Sequence, residues 1–365
     1  MKKVKIFSVI LAITMFMCTG FSKSSFKALG TDSQPDTYQY CPDSINDKVY
    51  YCYGNTYNVH DTIHMFDTKS KKDYLVLAPL TTSWDSYHVC DPEVIEGNFK
   101  YRGINYKYLM AYLGCDNGEN KNNKIGLAVS TEGRGWIRVG DKPLKLYNDE
   151  TELGNWGMGQ PSIIRTKDKN RYILFYTKEN NNLTQFKEFY RFIDFSNLDN
   201  LINEPNKYMS DEQAVGTNGL PQGRKIQNAD FARCGEDVYM VCDDTKKFKH
   251  KYNGKSIKYP TPDTSLIYKA VPGENDNFFK IEWKKVAKIS PENGYERNHN
   301  CCFKTNGYSE LVGKYVYCTG SSNSTNYEEI EYNKDPAVLT KEKMNENTSF
   351  HEVLETYRIY GVKFK

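Results

Sequence analysis

No paired CxxC, HExxH, GxSxG or glycine-rich phosphate loop occurs in the 365 residues. A zinc ribbon, a zincin, a nucleophile-elbow hydrolase and a P-loop nucleotide enzyme are therefore left without their signatures. Asn253-Gly254-Lys255-Ser256 comes nearest to a phosphate loop and lacks its upstream glycine. Neither sign of charge prevails, because 49 Lys and Arg face 46 Asp and Glu. No global field steers such a chain to nucleic acid or to an anionic membrane. Past the N-terminus no run is long and apolar enough to cross a bilayer. Removing Cys18 from the ten cysteines leaves an odd nine, which signals neither a disulfide framework nor a metal site. No cofactor motif is present.

The first residues do carry a pattern. Lys2, Lys3 and Lys5 precede an apolar run from Ile6 to Cys18, and Gly20 and Ser22 follow at small-residue positions. This reads as a cleaved signal peptide over 1–22, with a retained signal anchor as the alternative. Bulky Met15, Phe16 and Met17 before Cys18 argue against a lipidation site. The expected protein is secreted or extracellular, with attachment to the cell surface left open. A mobile leader is expected over 23–35 and one domain over 36–365.

Twenty-nine Tyr and 18 Phe in a polar sequence suit short strands joined by many loops, so the fold class expected is all-β. A unit of "small or polar, Pro, x, apolar" followed by an aromatic strand recurs five times. The copies open at Cys41-Pro42, Asp91-Pro92, Gln160-Pro161, Asn228-Ala229 and Asn300-Cys301. Spacings of roughly 50 to 72 residues hold about four short strands each, the content of one propeller blade. The second copy is the clearest, with Tyr106 to Gly114, Ile125 to Ser130 and Trp136 to Val139 as its later strands. Ile63 to Asp67, Phe189 to Phe195, Ser265 to Ala270 and Thr356 to Lys365 are the matching strands elsewhere. The architecture expected is a five-bladed β-propeller, and a β-sandwich is the competing one.

In a propeller the segments entering the first strand of each blade converge on one mouth. Trp84 and His88, Trp156, Gln160, Asn228, and Arg297 with His299 enter those strands. Flat apolar faces beside amides and charged groups are the parts of a sugar site, so these are the candidate substrate-binding residues. Asp43, Asp91 and Asp230 recur near the strand starts, and Glu296 enters the last unit. Glycoside hydrolysis needs one protonated and one ionised carboxyl group, which makes these four the candidate catalytic residues. Each serves equally well as a turn cap or a backbone acceptor.

The five units, with Asp91-Pro92 opening an inner strand and Ile125 to Ser130 followed by Trp136, resemble the clan of arabinanases, β-xylosidases and invertases. The resemblance spans roughly residues 36 to 365 as a set of short motifs. It implies a five-bladed propeller with three inner-strand acids, and a poly- or oligosaccharide as partner. Position by position, the first acid falls on Cys41, with Asp43 two residues on, the second on Asp91, and the third, a general-acid Glu in the clan, on Gln160. His299 resembles the clan's histidine near the channel axis, which holds a water or a calcium ion; no other ion is implied. The function expected is a secreted, monomeric glycoside hydrolase. The alternatives are a carbohydrate-binding propeller that does not cut, and a protein-binding one at the cell surface.

Overall fold

The computed structural model describes residues 37–55, 60–118, 121–147, 153–180, 183–244, 248–252, 255–259, 264–292, 295, 297–321 and 357–365. Expectations for the signal peptide, the leader and Glu296 lie outside the described residues.

The chain is all-β with little helix. Strands β1 (Thr37–Ile45), β2 (Lys48–Asn55), β3 (Thr62–Asp67) and β4 (Lys72–Leu77) form one antiparallel meander. A second meander holds β5 (His88–Tyr101), β6 (Ile104–Cys115), β7 (Lys124–Ser130) and β8 (Ile137–Arg138). A third holds β9 (Leu153–Arg165), β10 (Tyr172–Asn180) and β11 (Leu183–Ile193); helices α1 (Leu198–Asn203) and α2 (Pro205–Tyr208) then lead to its edge strand β12 (Gln213–Ala214). The fourth sheet runs β13 (Asp230–Cys234), β14 (Asp237–Asp243), β17 (Ser265–Ala270), β18 (Lys284–Ile289). A separate hairpin, β15 (Phe248–Tyr252) with β16 (Lys255–Tyr259), is inserted between β14 and β17. Finally β19 (Arg297–Thr305), β20 (Leu311–Ser321) and β21 (Arg358–Lys363) join the first meander, because β19 pairs in parallel with β1 at Ser44↔Lys304 and Ile45↔Thr305.

The core lies between successive sheets. Ile45, Tyr50 and Met65 pack on Val94 and Met110; Ile95 and Leu109 on Ile163 and Leu174; Ile173 and Phe175 on Phe231 and Met240; Ala232 and Ile267 on Phe303 and Val316. Val49 and Tyr51 complete the circle against Cys302, Tyr317 and Ile359. Sheets covered on both faces in this way explain why β6 from Tyr108 to Leu113 and β10 from Ile173 to Tyr176 read as continuous apolar runs rather than as alternation. The Phe175 and Phe231 rings stack at 3.9 Å between the third and fourth sheets, a contact worth about 1 kcal/mol beyond burial. Cys301 and Cys318 form a disulfide across neighbouring strands β19 and β20.

Candidate functional site

Four of the five first strands break their ladder at the same place; β13 begins at Asp230 and pairs without a break. Register shifts fall between Tyr40 and Asp43 on β1, Cys90 and Glu93 on β5, and His299 and Cys302 on β19, with a matching break at Gln160 on β9. At each break, and two residues before β13, one non-glycine residue takes the left-handed conformation: Cys41 (φ 46), Asp91 (φ 48), Gln160 (φ 53), Asn228 (φ 47) and Asn300 (φ 45). Such bulges re-aim a side chain. Five strained positions in one register are seldom accidental, since each costs on the order of 1 kcal/mol or more. These five, with the residue after each and Glu93, Asp230 and Cys302, line one small cavity of about 50 Å³.

Around this ring the five strained backbone N–H groups all find partners in the preceding sheet. Cys41 N donates to Thr319 Oγ1 at 3.1 Å and Asp91 N to Cys52 Sγ at 2.9 Å. Gln160 N donates to the Asp91 carboxylate, and Asn228 N to Gln160 Oε1 at 3.2 Å. Asn300 N reaches Asp243 Oδ1 at 3.2 Å. Side chains are linked as well: Gln160 Nε2 donates to Asn228 Oδ1, Asn228 Nδ2 to Asp243 Oδ2 at 2.5 Å, and Asn300 Nδ2 to Cys41 Sγ. Burial raises the Asp91 carboxyl to about 6, Asp243 to about 7, and Glu188 to about 8. Glu188 sits behind the ring, where Thr177 Oγ1 bonds both it and Gln160 at 2.9 Å.

Two residues deeper lies a second tier. Asp43 Oδ2 accepts Val94 N at 2.9 Å, Glu93 Oε1 accepts Ile163 N at 2.8 Å, Ser162 Oγ accepts Phe231 N at 3.0 Å, and Asp230 Oδ2 accepts Phe303 N at 2.7 Å. Each side chain thus holds the backbone of the following sheet, and the fifth junction uses the parallel β1–β19 ladder instead. Asp230 Oδ1 also accepts Ser162 Oγ at 2.7 Å. Burial and the Asp43 and Asp230 charges push Glu93 well above the usual carboxylate range; burial sets Asp230 at about 6.

Above the ring, Trp156 is partly exposed, meets Phe186 edge-on at 5.3 Å and packs with Tyr40 against Cys41, Cys52 and Cys90. Its segment approaches the second sheet so closely that a Cβ at Gly157 (φ +89) would stand 2.3 Å from Asn123 O. Buried Asp61 accepts Tyr38 Oη at 2.6 Å and Tyr40 Oη at 2.8 Å, and lies 2.9 Å from His88 Nδ1. His299 turns its ring edge-on to Tyr357, and burial with Arg297 nearby lowers its pKa to about 3.

The structure thus brings Asp91, Gln160 and Asn228 into the ring, Asp43 and Asp230 into the tier beneath it, and Trp156 beside them. Arg297 and His299 stand at the entry of β19, with the Arg297 charge acting on both His299 and Asp243. His88 is engaged with Asp61. Trp84 stacks on Tyr112 at 5.8 Å and lies over Gly114 and Gly126, whose missing side chains make room for its ring. Asn300, Asp243, Tyr40 and Asp61 were not singled out by sequence. The register of the fifth unit, Asn300-Cys301-Cys302 against Asn228-Ala229-Asp230, was the signal that would have placed Asn300.

No protein-family model and no curated protein sequence matches the chain. Its structure, however, matches solved ones. A family-43 β-xylosidase/α-arabinofuranosidase from a compost microbial metagenome, in complex with xylotriose, superposes with a TM-score of 0.52 at 10% identity, over 93% of this chain and 95% of that one. The fold is that of the propeller glycoside hydrolases. An α-L-arabinofuranosidase from Lactobacillus brevis gives 0.52 at 7% identity over 91% and 90% of the two chains. A fructofuranosidase from Schwanniomyces occidentalis, complexed with fructosylnystose, gives 0.51 at 10% identity over 83% and 55%. Among the described residues no helix is long and apolar enough to cross a membrane.

Proposed function

We propose that the chain is a secreted five-bladed propeller whose cavity mouth binds a residue of a poly- or oligosaccharide. One observation carries this reading: the five inward-aimed positions bear amides, a thiol and a single carboxylate, Asp91. Amide and carboxylate groups satisfy sugar hydroxyls, and Trp156 beside them offers a face for stacking. Gln160, at the position where the resembled clan has its general acid, donates no carboxyl proton. Binding a glycan in this way needs no titrating pair.

Hydrolysis is the second reading, favoured by Asp91, Glu93 and Asp230 lining the same cavity with unequal proton affinities. Burial and the Asp43 and Asp230 charges raise Glu93 well above the usual carboxylate range, whereas burial brings Asp91 and Asp230 to about 6, and carboxyls pushed apart in this way divide acid and base roles. A screen of the chain lacking 1–22 against aryl glycosides and polysaccharides separates the two. Saturable binding without turnover, weakened at least about tenfold by Trp156→Ala, supports the first reading. Turnover that rises with an apparent pKa near 6 and vanishes in Asp91→Asn establishes the second.

A further inference from the structure

We propose that Cys41, Cys52 and Asp91 form a site for a thiophilic divalent metal ion, with Zn²⁺ best fitted by the donors. The two sulfurs and an Asp91 carboxylate oxygen all lie within 4.8 Å of one another. They come from three strands, β1, β2 and β5, so no sequence spacing announces them. Two consecutive bulges aim Cys41 and Asp91 at the same point, and Cys52 faces it from β2, fully buried. In a tetrahedral zinc site with Zn–S near 2.3 Å and Zn–O near 2.1 Å, ligand atoms stand roughly 3.5 to 3.8 Å apart. The triangle therefore closes around an ion by shifts of about 1 Å or less.

Both sulfurs also accept N–H groups, Cys52 from Asp91 N and Cys41 from Asn300 Nδ2. Donors of that kind orient and stabilise a thiolate from outside the metal's own shell. Cys52 further shares a hydrogen bond with Cys90, which places a third thiol next to the set. Sulfur ligands select zinc or another soft ion over calcium or magnesium. Burial holds both thiols well above their usual range and raises Asp91. A cation among them reverses that preference and releases the protons. Cys41 and Asp91 border the cavity, so the ion's remaining coordination position faces it. The inference rests on these three donors and not on the identity of the sugar, although it shares Asp91 with the proposed mouth.

Titration of the purified chain with Co²⁺ alone, under mild reduction, tests it. The expected result is a near-ultraviolet thiolate-to-cobalt band with tetrahedral visible bands, complete at one equivalent and erased by Zn²⁺. Cys52→Ser removes the band, Asp91→Asn weakens binding at least about tenfold, and Cys234→Ser, an exposed cysteine elsewhere, changes nothing. Should Cys52→Ser not fold, the native chain still decides: Zn²⁺ must protect Cys41 and Cys52 from alkylation, as read by peptide mapping. Absence of the cobalt band, no protection, or a Cys41–Cys52 disulfide in the unreduced chain overturns the proposal.

Discussion

Asp91 and Glu93 lie two residues apart on β5, and the two levels of the cavity they represent are built to different rules. At the upper level the five positions bear a thiol, a carboxylate and three amides, and they bond to ring neighbours as well as to Thr319, Cys52 and Asp243. At the lower level, Asp43, Glu93, Ser162 and Asp230 each make the same bond, to the backbone of the next sheet. The lower level repeats because four of the five junctions present the same N–H to be satisfied, and at the fifth the parallel β1–β19 ladder takes its place. The upper level varies from one unit to the next, and the sugar contacts proposed above lie there. Asp230 and Asp91 both accept a backbone N–H of the next sheet, and only Asp91 stands at a strained ring position.

The largest effect that sharpens this contrast is expected from the lower level. Asp230→Ala leaves the Phe303 N–H and the Ser162 hydroxyl without their acceptor, and should cost about 3 kcal/mol in urea unfolding. A loss below about 1 kcal/mol would show that the junction does not depend on this bond. The second effect concerns pH. A carboxyl raised in the folded state binds its proton more tightly than in the unfolded chain, so stability is highest while it is protonated and falls as pH rises toward the folded pKa. His299, held neutral with its pKa at about 3, acts oppositely, but only below its ordinary value of 6.5. Between pH 6.5 and 8, then, stability should decline. Glu188→Gln should remove about 1 kcal/mol per pH unit of that slope. Urea titrations at both ends of the window measure it, and an unchanged slope would remove Glu188 from the account. The smallest effect is at the junction that uses backbone pairing. Thr305→Val deletes the 3.0 Å bond from Oγ1 to Ser44 O and should cost about 1 kcal/mol, because the parallel ladder remains. An effect as large as that of Asp230→Ala would erase the distinction between the two kinds of junction.

The repeat was legible because Pro or a small residue recurs just before the aromatic strands, and β3, β6, β7 and β17 fall where the repeats put them. The acids do not share one register: Asp43 and Asp230 fall with Glu93 in the lower tier, and Asp91 stands two residues above them. Their partners were not legible: the acceptor of Val94 N is Asp43, 51 residues away, and no local pattern records such a pair. Trp84 illustrates the same gap, since only the fold reveals the two glycines beneath its ring. The pairing of Cys301 with Cys318, and the convergence of Cys41 and Cys52 on Asp91, likewise depend on strand register rather than spacing. The hairpin β15–β16 left no signal in the repeat, being an insertion within one unit.

The parallel contact between β1 and β19 has a temporal consequence. Ser44 and Thr305 are separated by 261 positions along the chain. During synthesis β1, the first of the described strands, must therefore wait for those 261 positions before the edge that faces β19 is covered. Contacts of such span are slow to form, and an uncovered strand edge invites pairing with other chains in the interval. Synthesis speed and chaperone supply, more than the strength of any single bond, would then govern the yield of closed molecules.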